Sequence, residues 1–212
     1  MADEPKIKRA VCFIDGQNLF HSAKSAFGYN FPNYDCMALA QSVCKSNGWN
    51  CEGVRFYSGV PDKSDKPFWN HFWTAKCAQM GREGVAVFTR SLVYRNREVR
   101  LPDGTTHTFL DGDEKGIDVR LAIDVIRCAL RAECDVAVIF SRDQDMSELA
   151  DEVRTISIDQ NRWIRLASAY PYSPAVKQFR GINKTQWVQI DRSTYDACID
   201  KRDYRPKKQA PT

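Results

Sequence analysis

Several common functions are excluded by what this 212-residue chain lacks. It has three histidines, and His21, His71 and His107 are scattered. Its eight cysteines include no Cys-x-x-Cys, so a zinc site of conventional spacing is not expected. No Gly-x-Gly-x-x-Gly follows the first apolar run, and no Gly-x-x-x-x-Gly-Lys-[Ser/Thr] occurs. The loops that cradle dinucleotides and nucleoside triphosphates are therefore missing. No serine or cysteine stands in a nucleophile elbow. Asp111-x-Asp113-x-Lys115-Gly116 begins like a calcium loop. It fails because Lys115 replaces the third ligand and Ala122 stands where the closing glutamate belongs. No apolar run approaches the roughly 20 residues that cross a bilayer. The charged start, MADEPKIKRA, does not read as a leader, so a cytoplasmic protein is expected. Net charge is only +4, which permits a polyanionic partner without requiring one.

The chain does carry enough apolar residues, 43%, for one domain with a real core. We place that domain at residues 8–200 and expect a basic, flexible tail at 201–212. Cys12, Cys44 and Cys128 sit in apolar patterns and read as small core residues of a reduced protein. Short apolar runs at 9–15, 52–58, 85–89, 135–140, 163–167 and 187–190 read as strands. Helical spacing appears at 18–27, 34–46, from Pro67 onward, at 116–131 and at 144–157. The aromatic stripe Phe68, Trp69, Phe72, Trp73 is read as core rather than as a base-stacking platform. Residues 91–110 alternate around Pro102-Asp103-Gly104 and predict a projecting β-hairpin whose first arm is basic through Arg95, Arg97 and Arg100. Strands alternating with helices argue for a mainly parallel sheet covered on both faces, a three-layer α/β/α sandwich.

In such a sheet the carboxyl ends of the strands share one edge, and ligands bind there. Three distant segments send acids to that edge: Asp15 ends the first run, Asp118 opens the helix at 116–131, and Asp143 and Asp145 follow the run DVAVIF. Four like charges in one pocket must raise each other's pKa values or hold a cation. A hard divalent ion with oxygen ligands, Mg²⁺ or Mn²⁺, resolves the conflict and suits phosphodiester hydrolysis. Each residue also has a plain structural reading. Asp15-Gly16 is good turn chemistry, Ser141-x-x-Gln144 is a capping box, and Asp118 suits a helix dipole. Asn18, Lys115 and Arg142 are candidates to position a phosphate backbone, or else an N-cap, a solvated loop lysine and a charge balance for Asp143. Asp124 lies six residues after Asp118, about 600° further round a helix, and so points to another face.

The segments F-I-D-G-Q-N-L (13–19), K-G-I-D-V-R-L-A-I-D (115–124) and V-I-F-S-R-D-Q-D (138–145) together resemble the NYN domain of the PIN-like nuclease superfamily, and its LabA-like (DUF88) branch most. The resemblance spans roughly residues 8–170. It implies a central parallel sheet, a Mg²⁺ or Mn²⁺ site at one edge and RNA as substrate. Asp15, Asp118, Asp143 and Asp145 match the family's acidic set, Asn18 its N-terminal asparagine, and Asp124 a further aspartate. The chain departs from the family's S-G-D-S-D-F in reading S-R-D-Q-D-M, and Arg120 stands where a small residue is common. A metal-dependent endoribonuclease is the expectation. A non-catalytic RNA- or protein-binding adaptor is the alternative, with a protein partner or a second copy reached through the hairpin. A haloacid dehalogenase-like phosphatase built on Asp143-x-Asp145 ranks third.

Overall fold

Strand β1 (Lys8–Asp15) is apolar on both sides, and the two sides part cleanly. Ala10, Cys12 and Ile14 point into one core layer, while Val11 and Phe13 point into another. That period of two with both faces buried is the signature of a central parallel strand. Our structure is a computed structural model that describes residues 2–113, 115–176 and 180–206. After β1 come α1 (Gly16–Phe27), α2 (Cys36–Ser46), β2 (Trp49–Val60), α3 (Pro67–Arg82) and β3 (Ala86–Ser91). The hairpin β4 (Val93–Arg100) and β5 (Thr106–Asp113) leads to α4 (Ile117–Leu130) and β6 (Val136–Phe140). A 3₁₀ turn at 144–146 precedes α5 (Ser147–Asp159), β7 (Arg165–Pro171), β8 (Gln186–Ile190) and α6 (Arg192–Ala197).

The main sheet has six strands in the order β3-β2-β1-β6-β7-β8, all neighbours parallel. One core layer holds side chains of α1, α2, α3 and α6, and the other holds those of α4 and α5. This is the expected α/β/α sandwich. The order also matters for function. From β1 the chain winds outward through β2 and β3 on one side, and from β6 through β7 and β8 on the other. The order reverses between β1 and β6, which opens a crevice beyond their carboxyl ends.

The hairpin forms a separate two-stranded antiparallel sheet. Its turn is built as the residues dictate: Gly104 takes φ 85°, and Asp103 accepts hydrogen bonds from the Thr105 N–H and hydroxyl. Tyr94 anchors it by accepting from the Asp62 N–H at 2.9 Å. Strand alternation puts Arg95 and Arg97 on one face and Arg100 on the other, so the basic arm presents no single basic face.

The aromatic stripe of α3 divides: Phe72 and Trp73 are buried, Trp69 packs against the core, and Phe68 is exposed. Helix α6, which periodicity did not reveal, is capped by Asp191 and buries Tyr195. The segment placed in the tail begins with contacts to the domain. Arg202 pairs with Asp35, Glu83 and Asp200, and Tyr204 donates to Asp200 and stacks edge-on against Phe72. Residues 207–212 lie outside the described residues.

Candidate active site

Asp15 stands at the crevice because β1 ends there and α1 begins on the next residue. Its carboxylate caps α1, accepting from the Asn18 N–H at 3.0 Å. The turn demands glycine at 16, since a Cβ there would lie 2.5 Å from the buried Phe56 ring. Asp15 pairs with Tyr57 of β2, which continues three residues further to Val60. The second Asp15 oxygen accepts from the Ser141 hydroxyl at 3.3 Å. Ser141 is itself buried at the end of β6, and its Oγ also accepts from the Asp143 N–H at 3.2 Å. One hydroxyl thus ties the β1 carboxylate to the loop after β6.

Asn18 strengthens that tie. Its side-chain oxygen accepts from the Arg142 N–H at 2.9 Å, so it holds the loop rather than capping the helix. Asp143 caps the 3₁₀ turn by accepting from the Asp145 N–H. The predicted capping box does not form. The Gln144 amide instead donates to the Arg142 and Gly181 carbonyls, and the α-helix starts only at Ser147.

Helix α4 runs back against β6, so its first turn returns to the same edge. Gly116 opens it at φ 70°, and Asp118 sits in that turn. Asp15, Asp118 and Asp143 accordingly line one cleft of about 530 Å³ together with Asn18 and Arg142. Gln17, His21, Ser22 and Ser25 supply a further wall. These lie on one face of α1, and their signal in the sequence was polar residues at helical spacing after Asp15. Ser141 was seen only as a possible cap.

Two candidates stand elsewhere. Asp145 is exposed and is not among the lining residues, and Lys115 is exposed with its carbonyl facing Arg90 at 3.4 Å. Asp124 faces away from the cleft, as its spacing required. It is buried, and accepts from the Tyr57 hydroxyl at 3.0 Å and from Arg120 Nε at 2.9 Å.

The electrostatics single out Asp15. Burial raises its pKa to about 6, against the lowering effect of the Asn18 and Ser141 hydrogen bonds, and the charges of Asp143 and Asp118 add to the rise. Among the described residues no lysine or arginine pairs with it. An all-oxygen donor set with an uncompensated, half-buried carboxylate fits a hard divalent cation. The three acids line a cleft but do not form a closed cage. Among the described residues the one trio of potential ligand atoms all within 4.8 Å of one another is a set of thiols elsewhere, Cys12, Cys44 and Cys51.

A parallel α/β sandwich with an acidic cleft at its switch point defines a class of proteins rather than one activity. The family follows from the sequence match: the NYN domain family model matches residues 9–159, and the chain belongs to that family. No curated protein matches. Among solved structures, a protein of unknown function from Vibrio parahaemolyticus, VPA0982, superposes over 90% of this chain and 98% of its own at TM-score 0.52 and 17% identity. That likeness concerns the fold. Ribokinase from Giardia lamblia aligns over 81% of this chain and 53% of its own at TM-score 0.39 and 9% identity, too remote to carry an argument.

Proposed function

We propose that this NYN domain is a divalent-metal-dependent endoribonuclease whose centre is Asp15, Asp118 and Asp143. The supporting observation is the half-buried Asp15 carboxylate, unpaired with any lysine or arginine among the described residues at the switch point, and sharing an open cleft with two further acids. Bound there, Mg²⁺ or Mn²⁺ would neutralise phosphate charge and acidify a water. The chain's own residues do the rest. Ser141 fixes the Asp15 carboxylate, and Asn18 fixes the loop that presents Asp143. Arg142, held over the Tyr170 ring, offers positive charge to a phosphate. His21, Ser22 and Ser25 offer hydrogen bonds along the wall. Arg95, Arg97 and Arg100 on the hairpin add salt-sensitive backbone contacts.

The adaptor reading keeps one specific support, since the three carboxylates do not converge into a preformed cage. The phosphatase reading has less, because Asp145 is exposed and stands apart from the cleft. Single-stranded RNA incubated with Mg²⁺ or Mn²⁺, with and without EDTA, separates them. Cleavage abolished by both EDTA and Asp143→Asn supports the nuclease. RNA retained uncut supports the adaptor, and turnover of a small phosphomonoester with RNA intact supports the phosphatase.

A further inference from the structure

Three thiols from distant segments meet on the other side of β1 from α4. Cys12 lies mid-strand in β1, Cys44 near the end of α2, and Cys51 near the start of β2. Their sulfurs all lie within 4.8 Å of one another, and Cys12 Sγ is 3.6 Å from Cys44 Sγ. Sulfurs bound tetrahedrally to one ion at about 2.3 Å stand about 3.8 Å apart, so the observed spacing is nearly that of a ligand set. It is far from the roughly 2.05 Å of a disulfide, which would in any case use two sulfurs and strand the third.

The site has a way in. Cys12 and Cys44 are buried, but Cys51 is only half-buried, and Cys44 and Cys51 both line a surface cleft with Lys45 and Glu52. The backbone is adapted at the same place. Ala10 pairs with Cys51 but Val11 with Gly53, so Glu52 is an extra residue that bulges β2 beside the cluster. Bulges re-aim side chains and gather next to sites. Ordinary packing of small apolar residues accounts for each cysteine singly, but not for three sulfurs within 4.8 Å of one another at a bulge with an opening.

We infer that Cys12, Cys44 and Cys51 form a binding site for one soft d¹⁰ cation of the Zn²⁺ or Cd²⁺ class, with solvent from the surface cleft as the remaining ligand. The reaction is proton exchange without redox: the ion enters, up to three thiol protons leave, and three sulfur–metal bonds form. Three thiolates leave a single negative charge on a dication, beside a cleft that Lys45 and Glu52 share. The bound ion would pin α2 to both β1 and β2. Sequence spacing could not announce the site, because each ligand comes from a separate element.

The test is a Cd²⁺ titration of the chelator-stripped full chain, read by the sulfur-to-cadmium charge-transfer absorption in the ultraviolet. Carboxylates give no such band, so the result is independent of the Asp15 cleft. We expect saturation at one ion per chain, loss of the band in Cys51→Ser, and its retention in Cys134→Ala, whose sulfur neighbours Cys128 instead. In the wild-type chain, Cd²⁺ should shield Cys12, Cys44 and Cys51 together from alkylation, with Zn²⁺ doing the same. That measurement needs no variant to fold. A missing band, a band unchanged in Cys51→Ser, or alkylation that the metal does not slow overturns the inference. So does mild oxidation that joins Cys12 to Cys44 in a chain that binds no metal, which would make the cluster a redox pair.

Discussion

Asp15 and Asp200 are both half-buried carboxylates, and they meet opposite fates. Asp200 is held by Lys76, whose side chain is 1% exposed, and by Arg202 and Tyr204. Burial opposes its charge, but hydrogen bonds from Tyr204 and Arg202 and the charge of Lys76 prevail and bring its pKa down to about 2. Asp15 has hydroxyl and amide donors but no cation, and its pKa rises to about 6. Asp200 has its countercharge built into the fold, whereas Asp15 has none among the described residues. The unpaired one lowers stability in the empty protein and is the better candidate for function.

The comparison is testable from its largest consequence downward. Asp15→Asn and Asp143→Asn should each lower metal-dependent RNA cleavage by about 10²–10³-fold, the scale of losing one preorganised electrostatic group. Single-turnover assays check this, and an active Asp15→Asn protein would detach the buried carboxylate from catalysis. Lys76→Met should cost about 3 kcal/mol or more in denaturant unfolding, because it strips Asp200 of a buried partner and leaves the Tyr34 carbonyl without its 2.8 Å donor.

Next, one substitution should act with opposite sign at the two acids. Asp200 ionises more readily folded than unfolded, so its contribution is present above about pH 4 and fades as pH falls toward 2. Asp200→Asn should then cost about 2 kcal/mol at pH 7. Asp15 holds its proton more tightly when folded, so its contribution is present below about pH 4 and is lost as pH rises through 6. Asp15→Asn should therefore raise stability at pH 7 by about 2 kcal/mol, keep the helix cap, and show no gain near pH 3. Mg²⁺ should stabilise the parent chain and not this variant. Thermal melts across pH decide it, and equal signs would break the comparison. The smallest effect is expected from Asn18→Ala: about 1 kcal/mol for the lost acceptor of the Arg142 N–H, with a drop in cleavage as the Asp143 loop loosens.

Much of the scaffold was legible because it is local. The unbroken apolar run in KRAVCFID suits a strand buried on both faces, and the Asp-Gly that follows it marks the strand end. Six residues between Asp118 and Asp124 are enough to separate their faces. What failed was also physical. The Ser141-x-x-Gln144 pattern lost because Gln144 found the Gly181 carbonyl, a partner 37 positions away. Asp145 follows Asp143 by two residues, yet Asp143 caps the 3₁₀ turn and lines the cleft while Asp145 lies within the turn and faces solvent.

By itself, the order of residues determined the alternation of strands and helices, the parallel sheet and the delivery of acids to its carboxyl edge, since each depends on periodicity within one element. The tertiary structure alone decided which side chains meet: that Ser141 bridges Asp15 to the Asp143 loop, that Asp15 lacks a cation among the described residues while Asp200 has two, and that Cys51 lies beside Cys12 and Cys44. Those meetings depend on register and crossover between elements, and no local pattern encodes the distance between two strands.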